Sequence, residues 1–352
     1  MTVRTIVVDD SPSMQKLITA VLETDPEIEV IGTASNPIEA REMIKVLDPD
    51  VITLDVEMPG MNGLDFLERL MRLRPMPVVM ISSHTRKGAD ATIAALEIGA
   101  VSCLPKPRMD DEAALQEMRQ NVKAAASAKM AIQGRQRTSG DARTKPARSA
   151  VLKRKRGIDV IALGASTGGV EALTEVLSGF PANCPPTVVT QHMPEHFTKS
   201  FAERLDRLCA PKVVEAADGM PISEGHVYIA PGGVGHLTVA GRTEKLCRVQ
   251  PGQLRSGHMP SVDVLFESVA KAFADKAAAA LLTGMGSDGA EGLLALKKAG
   301  ALTIAQDRAT SLVYGMPAAA ERLGAANHVL PLRDIASALF GGGTEVTQNV
   351  CA

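Results

Sequence analysis

Residues 5–8, 28–31, 51–54, 77–81 and 101–104 are apolar runs of strand length, and stretches of helical periodicity separate them. Those stretches, 13–22, 37–47, 63–73 and 88–98, open on Ser, Pro or Gly, residue types that start helices. Strand, helix and strand at this spacing demand parallel pairing through crossover helices. The first third of the chain is therefore expected to be a doubly wound α/β domain of five parallel strands. In such a sheet, side chains that do chemistry stand just beyond the carboxyl ends of the strands, at the topological switch point.

Polar groups stand at those positions. Asp9 and Asp10 end the first strand, Asp55 the third and Ser82 the fourth, and Lys106 follows the fifth, next to a cis-prone bond to Pro107. Three carboxylates so close repel unless a hard cation neutralises them, and Mg²⁺ held by few carboxylates and several waters suits the set. Asp55 is then placed to attack a phosphoryl group. Lys106 neutralises phosphoryl oxygens and the Ser82 hydroxyl reorients towards the product. Over residues 3–122 the motifs around Val7–Ser11, Leu54–Gly63, Ile81–Ser82 and Leu104–Pro107 resemble a response-regulator receiver domain. The resemblance implies Asp55 as phospho-acceptor, Asp9, Asp10 and the Glu57 backbone carbonyl around Mg²⁺, Ser82 as the switch hydroxyl and Lys106 as the phosphate-contacting cation.

The 352-residue chain has room for a second domain, and charge marks the boundary. Residues 123–156 hold eleven Lys and Arg against one acid, Asp141, which leaves 27 basic and 39 acidic residues elsewhere. The stretch is rich in Ala, Gly, Ser, Thr and Gln and has no interleaved aromatics, so it reads as a flexible linker rather than a nucleic-acid surface. The expected organisation is a receiver at 1–122, a basic linker at 123–156, a catalytic domain at 157–341 and a tail at 342–352. Acids within the first ten residues disfavour a signal peptide, and apolar runs stay strand-length, so a cytoplasmic chain without membrane insertion is expected. Five scattered cysteines, with no C-x-x-C pair, point to reduced thiols.

Beyond the linker, residues 158–163, 187–190, 277–284 and 301–305 again read as strands alternating with helices, and the Gly-rich run 226–239 reads as a hairpin. Gly164-Ala165-Ser166-Thr167-Gly168 fits G-x-S-x-G, a tight strand-to-helix turn that exposes a serine hydroxyl. It lacks the spacing of a dinucleotide loop and the Lys of a phosphate cradle. A serine needs a base, and the base an orienting acid. His192 lies two residues beyond a strand, and Asp288 lies likewise beyond another. If the three strands are neighbours, Ser166, His192 and Asp288 converge on one sheet edge.

Rivals exist for each role. His192 and His196 fit an H-x-x-E-H zinc motif, but Pro194 disrupts the helix it needs. His258 is a second candidate base, better suited to substrate contact, and Asp263 is a second candidate acid. His84, His226, His236 and His328 read as structural or solvated. Two other outputs compete: a DNA-binding response regulator that uses the basic linker, and a dinucleotide-binding enzyme that uses the turn at 164–169.

The runs at Gly164–Gly169, Thr190–Pro194, His258–Phe266 and Leu282–Gly289 resemble the catalytic domain of chemotaxis protein-glutamate methylesterases, over about residues 158–340. That family joins a receiver to this hydrolase. The resemblance implies the triad Ser166, His192 and Asp288, the Met285 amide near the oxyanion, Thr167 and His258 on the oxyanion or substrate side, and no cofactor in the esterase site. It also implies phosphorylation-activated hydrolysis of γ-glutamyl methyl esters on chemoreceptors, with methanol released, and deamidation of receptor glutamine by the same chemistry. The implied partners are methyl-accepting receptors as substrate and a chemotaxis histidine kinase as phosphodonor. One departure from the pattern is Met259, where Arg is expected in H-R-P-S-V-D.

Overall fold

In a computed structural model the residues described are 2–59, 62–82, 86–129, 132, 157–241 and 243–340. Most of the linker and the whole tail lie outside them.

The receiver sheet is built as the strand spacing requires. Strands β1 (Val3–Val8), β2 (Ile28–Ala34), β3 (Val51–Asp55), β4 (Val78–Ser82) and β5 (Ser102–Pro105) pair in parallel in the order β2-β1-β3-β4-β5. Helices α1 (Pro12–Glu23), α2 (Pro37–Leu47), α3 (Gly63–Leu73), α4 (Arg86–Ile98) and α5 (Glu112–Ser127) cover both faces. Ser11, Asn36, Asn62 and Asp111 cap four of them, each accepting a first-turn backbone N–H. Helix α5 runs past Lys123, where the linker is expected to begin. Lys123 pairs with Asp25 at 2.7 Å and Lys129 with Asp50 at 2.9 Å, so the first basic residues of that stretch belong to the receiver surface.

The second sheet has seven parallel strands in the order β14-β13-β12-β6-β7-β9-β8. They are β6 (Val160–Ala165), β7 (Thr187–Gln191), β8 (Lys212–Glu215), β9 (His226–Ile229), β12 (Ala277–Leu281), β13 (Leu302–Gln306) and β14 (His328–Leu330). Side chains alternate along β6, with Ile161 and Leu163 in one apolar layer and Val160 and Ala162 in the other. The connecting helices are α6 (Gly169–Ser178), α7 (Glu195–Leu208), α8 (Val262–Phe273), α9 (Ala290–Lys298), α10 (Met316–Arg322) and α11 (Leu332–Leu339). Because β6 has β7 on one side and β12 on the other, the chain reverses direction across the sheet at β6.

The hairpin suggested by residues 226–239 does not form. Strand β9 is buried between β7 and β8, while β10 (His236–Ala240) pairs antiparallel with β11 (Leu246–Gln250). The glycines between β9 and β10 serve close approach instead: Gly232 donates its N–H to Thr198 Oγ1 at 3.1 Å, against the start of α7. The cis peptide bond among the described residues is Met259–Pro260, not Lys106–Pro107.

The two domains share a packed boundary. Ile93 of α4 joins the core of the second domain, and Val313, with Met285 and Leu312, joins that of the receiver. Arg204 of α7 holds Glu97 of α4 through two hydrogen bonds of 2.7 Å.

Candidate active site

Ser166 stands immediately beyond β6. Its N–H donates to the Thr283 carbonyl at 3.0 Å, and its carbonyl accepts from Gly169 N–H at 2.7 Å and Gln191 Nε2 at 2.9 Å. The turn into α6 requires Gly168 at φ +77°, where a Cβ would also lie 2.7 Å from Leu312 Cβ. Gly284 backs directly on the serine: a Cβ there would lie 2.8 Å from Ser166 Cβ. Sheet edge and loop thus fix the serine backbone on three sides.

His192 follows β7, its N–H bonded to the Ala165 carbonyl at 3.1 Å, and its side chain is buried. Nε2 lies 2.8 Å from Asp288 Oδ2, a contact that makes Nε2 the protonated nitrogen of the neutral ring and leaves Nδ1 as the acceptor. That Nδ1 is buried and makes no hydrogen bond within the structure. Asp288, beyond β12, is set on the N-terminus of α8. It accepts from Ser261 Oγ at 2.8 Å, Val262 N–H at 2.7 Å and Asp263 N–H at 3.2 Å. Burial works to raise its pKa, but the bond and charge of His192 and these donors outweigh burial and hold it well below the usual carboxylate range.

The competing residues fall into other places. Asp263 does not reach His192; it accepts Gly292 N–H at 2.7 Å, and burial beside Asp288 raises its pKa to about 6. His236 accepts Ser261 N–H at Nδ1 (3.1 Å) and donates from Nε2 to the Gln253 carbonyl (2.9 Å), a structural role. Pro194 is the N-cap of α7, so His192 lies ahead of the helix that a zinc motif would need. The side chain of His196, and His84 altogether, lie outside the described residues. His258 lies face to face with His192, ring centroids 3.7 Å apart and planes 15° apart.

Ser166, Thr167, His192, His258 and Met285 line a cavity of about 640 Å³. Its opposite wall is the receiver, including Leu96 of α4 and Glu117 of α5. Glu117 keeps access to solvent in the cavity, yet crowding by protein raises its pKa, with His192 pulling the other way.

The receiver brings its expected residues together as well. Ligand oxygens of Asp9, Asp10 and Asp55 lie within 4.8 Å of one another. Lys106 Nζ is 2.8 Å from Asp55 Oδ2 and 3.4 Å from Asp9 Oδ2. Ser82 ends β4, fully buried, and Glu57 lies two residues beyond Asp55, donating its N–H to Asp55 Oδ1 at 3.2 Å. Burial raises the Asp55 pKa, opposed by Lys106 and reinforced by the charge of Asp9.

Two family models match: the CheB methylesterase over residues 161–339 and the response regulator receiver domain over residues 5–120. The protein-glutamate methylesterase/protein-glutamine glutaminase of Agrobacterium fabrum is 54% identical over 332 residues, covering 94% of each chain. The chain belongs to the CheB methylesterase family. A protein of the same name from Caulobacter vibrioides, its form 1, is 52% identical over 343 residues, 96% of this chain and 97% of that one. The Thermotoga maritima CheB methylesterase catalytic domain, a crystal structure, is 36% identical and covers 52% of this chain and 98% of its own, with a TM-score of 0.51.

Two contributors to this site escape a reading of the sequence. Ser261 caps α8 and also donates to Asp288, and its position ahead of a helical run was the available signal. Gln191 Nε2 bridges the Ser166 and His192 carbonyls, a role that nothing in a strand-terminal glutamine announces.

Proposed function

We propose that the chain hydrolyses γ-glutamyl methyl esters on the cytoplasmic helices of chemoreceptors, with Ser166 as nucleophile, His192 as general base and acid, and Asp288 as its partner. The observation that carries this is the arrangement of the three residues on adjacent strand ends, with Asp288 sealed onto a helix N-terminus. His192 Nδ1 takes the Ser166 proton as Oγ attacks the ester carbonyl. The tetrahedral oxyanion forms beside Thr167 and the Met285 amide. Collapse expels methoxide, to which His192 returns the proton, and methanol leaves. Water, deprotonated by the same nitrogen, then hydrolyses the glutamyl-enzyme and releases Ser166. Receptor glutamine follows the same course with ammonia leaving, a poorer departure that relies more on His192 as acid. No cofactor is assigned to this site.

The receiver pocket fits a hard divalent cation on one observation: Asp9 Oδ2 is buried with no hydrogen bond, its contact being the 3.4 Å ion pair with Lys106, whose single charge faces the three carboxylates of Asp9, Asp10 and Asp55. Asp9, Asp10, Asp55 and the Glu57 carbonyl would hold Mg²⁺, which when bound neutralises charge on a phosphoryl donor. Asp55 attacks the phosphoryl group donated by a chemotaxis histidine kinase, Lys106 contacts the product and Ser82 turns towards it. Since α4 and α5 wall the esterase cavity, a shift of this face uncovers the triad. A cytoplasmic place suits both partners, and among the described residues no helix is long and apolar enough to cross a membrane. Neither nucleic acid nor a dinucleotide has a role in this reading.

The test is methanol release from methylated receptor membranes, with and without a small-molecule phosphodonor and Mg²⁺. Release that depends on Ser166 and rises with phosphodonor is expected; release undiminished in Ser166→Ala sinks the serine esterase.

A further inference from the structure

Resting on the reading of His192 as general base, we infer that His258 is a positioning residue whose ring forms the floor on which the His192 ring lies, rather than a ligand for substrate. Asp288 fixes the catalytic ring at one edge only, through Nε2. A ring held at one edge can still roll about that contact, which swings the Nδ1 lone pair out of line with Ser166. A flat ring 3.7 Å away and inclined by only 15° removes that freedom.

The mounting of His258 is as built as that of Asp288. Arg255 and His258 exchange backbone hydrogen bonds of 3.1 and 2.9 Å around a tight turn, with Ser256 at φ 55° and Gly257 at φ 83°. Arg255 reaches Glu267 of α8 and Glu291 of α9, each at 3.1 Å, which ties the turn to both helices flanking Asp288. Three residues later the same segment supplies Ser261, Val262 and Asp263 as donors to Asp288. One stretch, residues 255–263, therefore holds the catalytic imidazole from beneath and, through Asp288, from its edge.

Charge makes the pair asymmetric. Two stacked imidazoliums repel, and His192, unlike His258, has a carboxylate partner in Asp288. Burial and the neighbouring His192 push the His258 pKa down to about 4, so it stays neutral while His192 cycles. A neutral aromatic face also favours a cationic ring above it.

The test uses the full chain with phosphodonor and methylated receptor membranes, comparing His258→Ala, His258→Asn and His258→Phe. Loss of the floor should lower kcat by about 10–100-fold in the Ala and Asn variants while KM stays within about twofold, because a small misplacement at a reacting centre costs that much. Phe restores the flat face without hydrogen-bonding atoms and should recover most of kcat. Circular dichroism and a melting curve of each variant verify folding of the second domain, and ¹⁵N NMR of His192 in the Phe variant should still report the Nε2–H tautomer. A rise in KM at constant kcat, rescue by Asn but not Phe, or an unaltered Ala variant would each overturn the inference. Activity remaining in a Ser166→Ala control would overturn the underlying esterase reading instead.

Discussion

Asp55 and Asp288 are nearly alike by position: one ends a central parallel strand, the other lies in the loop beyond one, and each is 1% exposed. Their surroundings drive them apart. Asp288 meets three donors from one helix start and an imidazole, and its pKa falls. Asp55 meets one ammonium, one backbone N–H and the carboxylate of Asp9, and its pKa rises. Burial alone therefore says nothing about what a carboxylate does; the count of fixed donors decides. A fully solvated-by-protein anion suits a constant role in orienting a base. An under-compensated one suits a site that waits for a cation and a phosphoryl group.

The comparison breaks most visibly at Asp288. Asp288→Asn keeps the shape but offers His192 a donor in place of an anion, and by analogy with other triads kcat should fall about 10⁴-fold. Asp55 phosphorylation should be unaffected; parallel loss of phosphorylation would show that the two sites are not independent. Next in size is Gly284→Ala. Its Cβ would lie 2.2 Å from Met316 Sδ and 2.8 Å from Ser166 Cβ, and displacement of the serine should cost about 100-fold in methanol release with little change in Asp55 chemistry.

A smaller effect is expected where the domains meet. Arg204→Gln removes the bidentate pair with Glu97, a partly exposed contact worth ~0.2–1 kcal/mol, and should raise unphosphorylated activity by about 1.5- to 5-fold. A decrease would argue that the boundary assembles the site rather than covering it. The smallest effects concern stability. A folded pKa raised above its unfolded value costs stability as pH climbs through that window, so Asp55→Asn should raise the melting temperature at pH 7 in the absence of Mg²⁺. A folded pKa held low gives stability that is present above the unfolded value near 3.9 and lost as pH falls through the folded one, so Asp288→Asn should lower it. Melting curves for both variants check the opposite signs.

Much of this was legible in residue order because parallel α/β sheets force chemistry to strand ends. Asp9, Asp55, Ser82 and Lys106 are placed at strand ends by that rule; Ser166 is singled out by its G-x-S-x-G turn, and the rule then ranks His192 and Asp288 ahead of His258 and Asp263 as its partners. The misread hairpin at 226–239 fails for a physical reason: alternation and glycines report a strand and a close approach, and only tertiary pairing decides that β9 joins β7 and β8. Likewise the donors to Asp288 come from a segment 25–27 residues earlier, and the stacking of His258 on His192 spans two loops. Local pattern carries neither. The boundary between domains is illegible for the same reason, since Ile93 and Leu312 look like ordinary core residues of their own domains.

The central claim is that the conditional carboxylate governs access to the constant one. Initial methanol release by the full chain, wild type against Asp55→Asn, with and without phosphodonor and Mg²⁺, tests it most directly. About 1.4 kcal/mol of bias between closed and open forms corresponds to a tenfold change. The account predicts a rise of about that size in the wild type and none in Asp55→Asn, whose basal rate should equal that of the unphosphorylated wild type. A wild type indifferent to phosphodonor, or an Asp55→Asn variant that still responds to it, would contradict the claim.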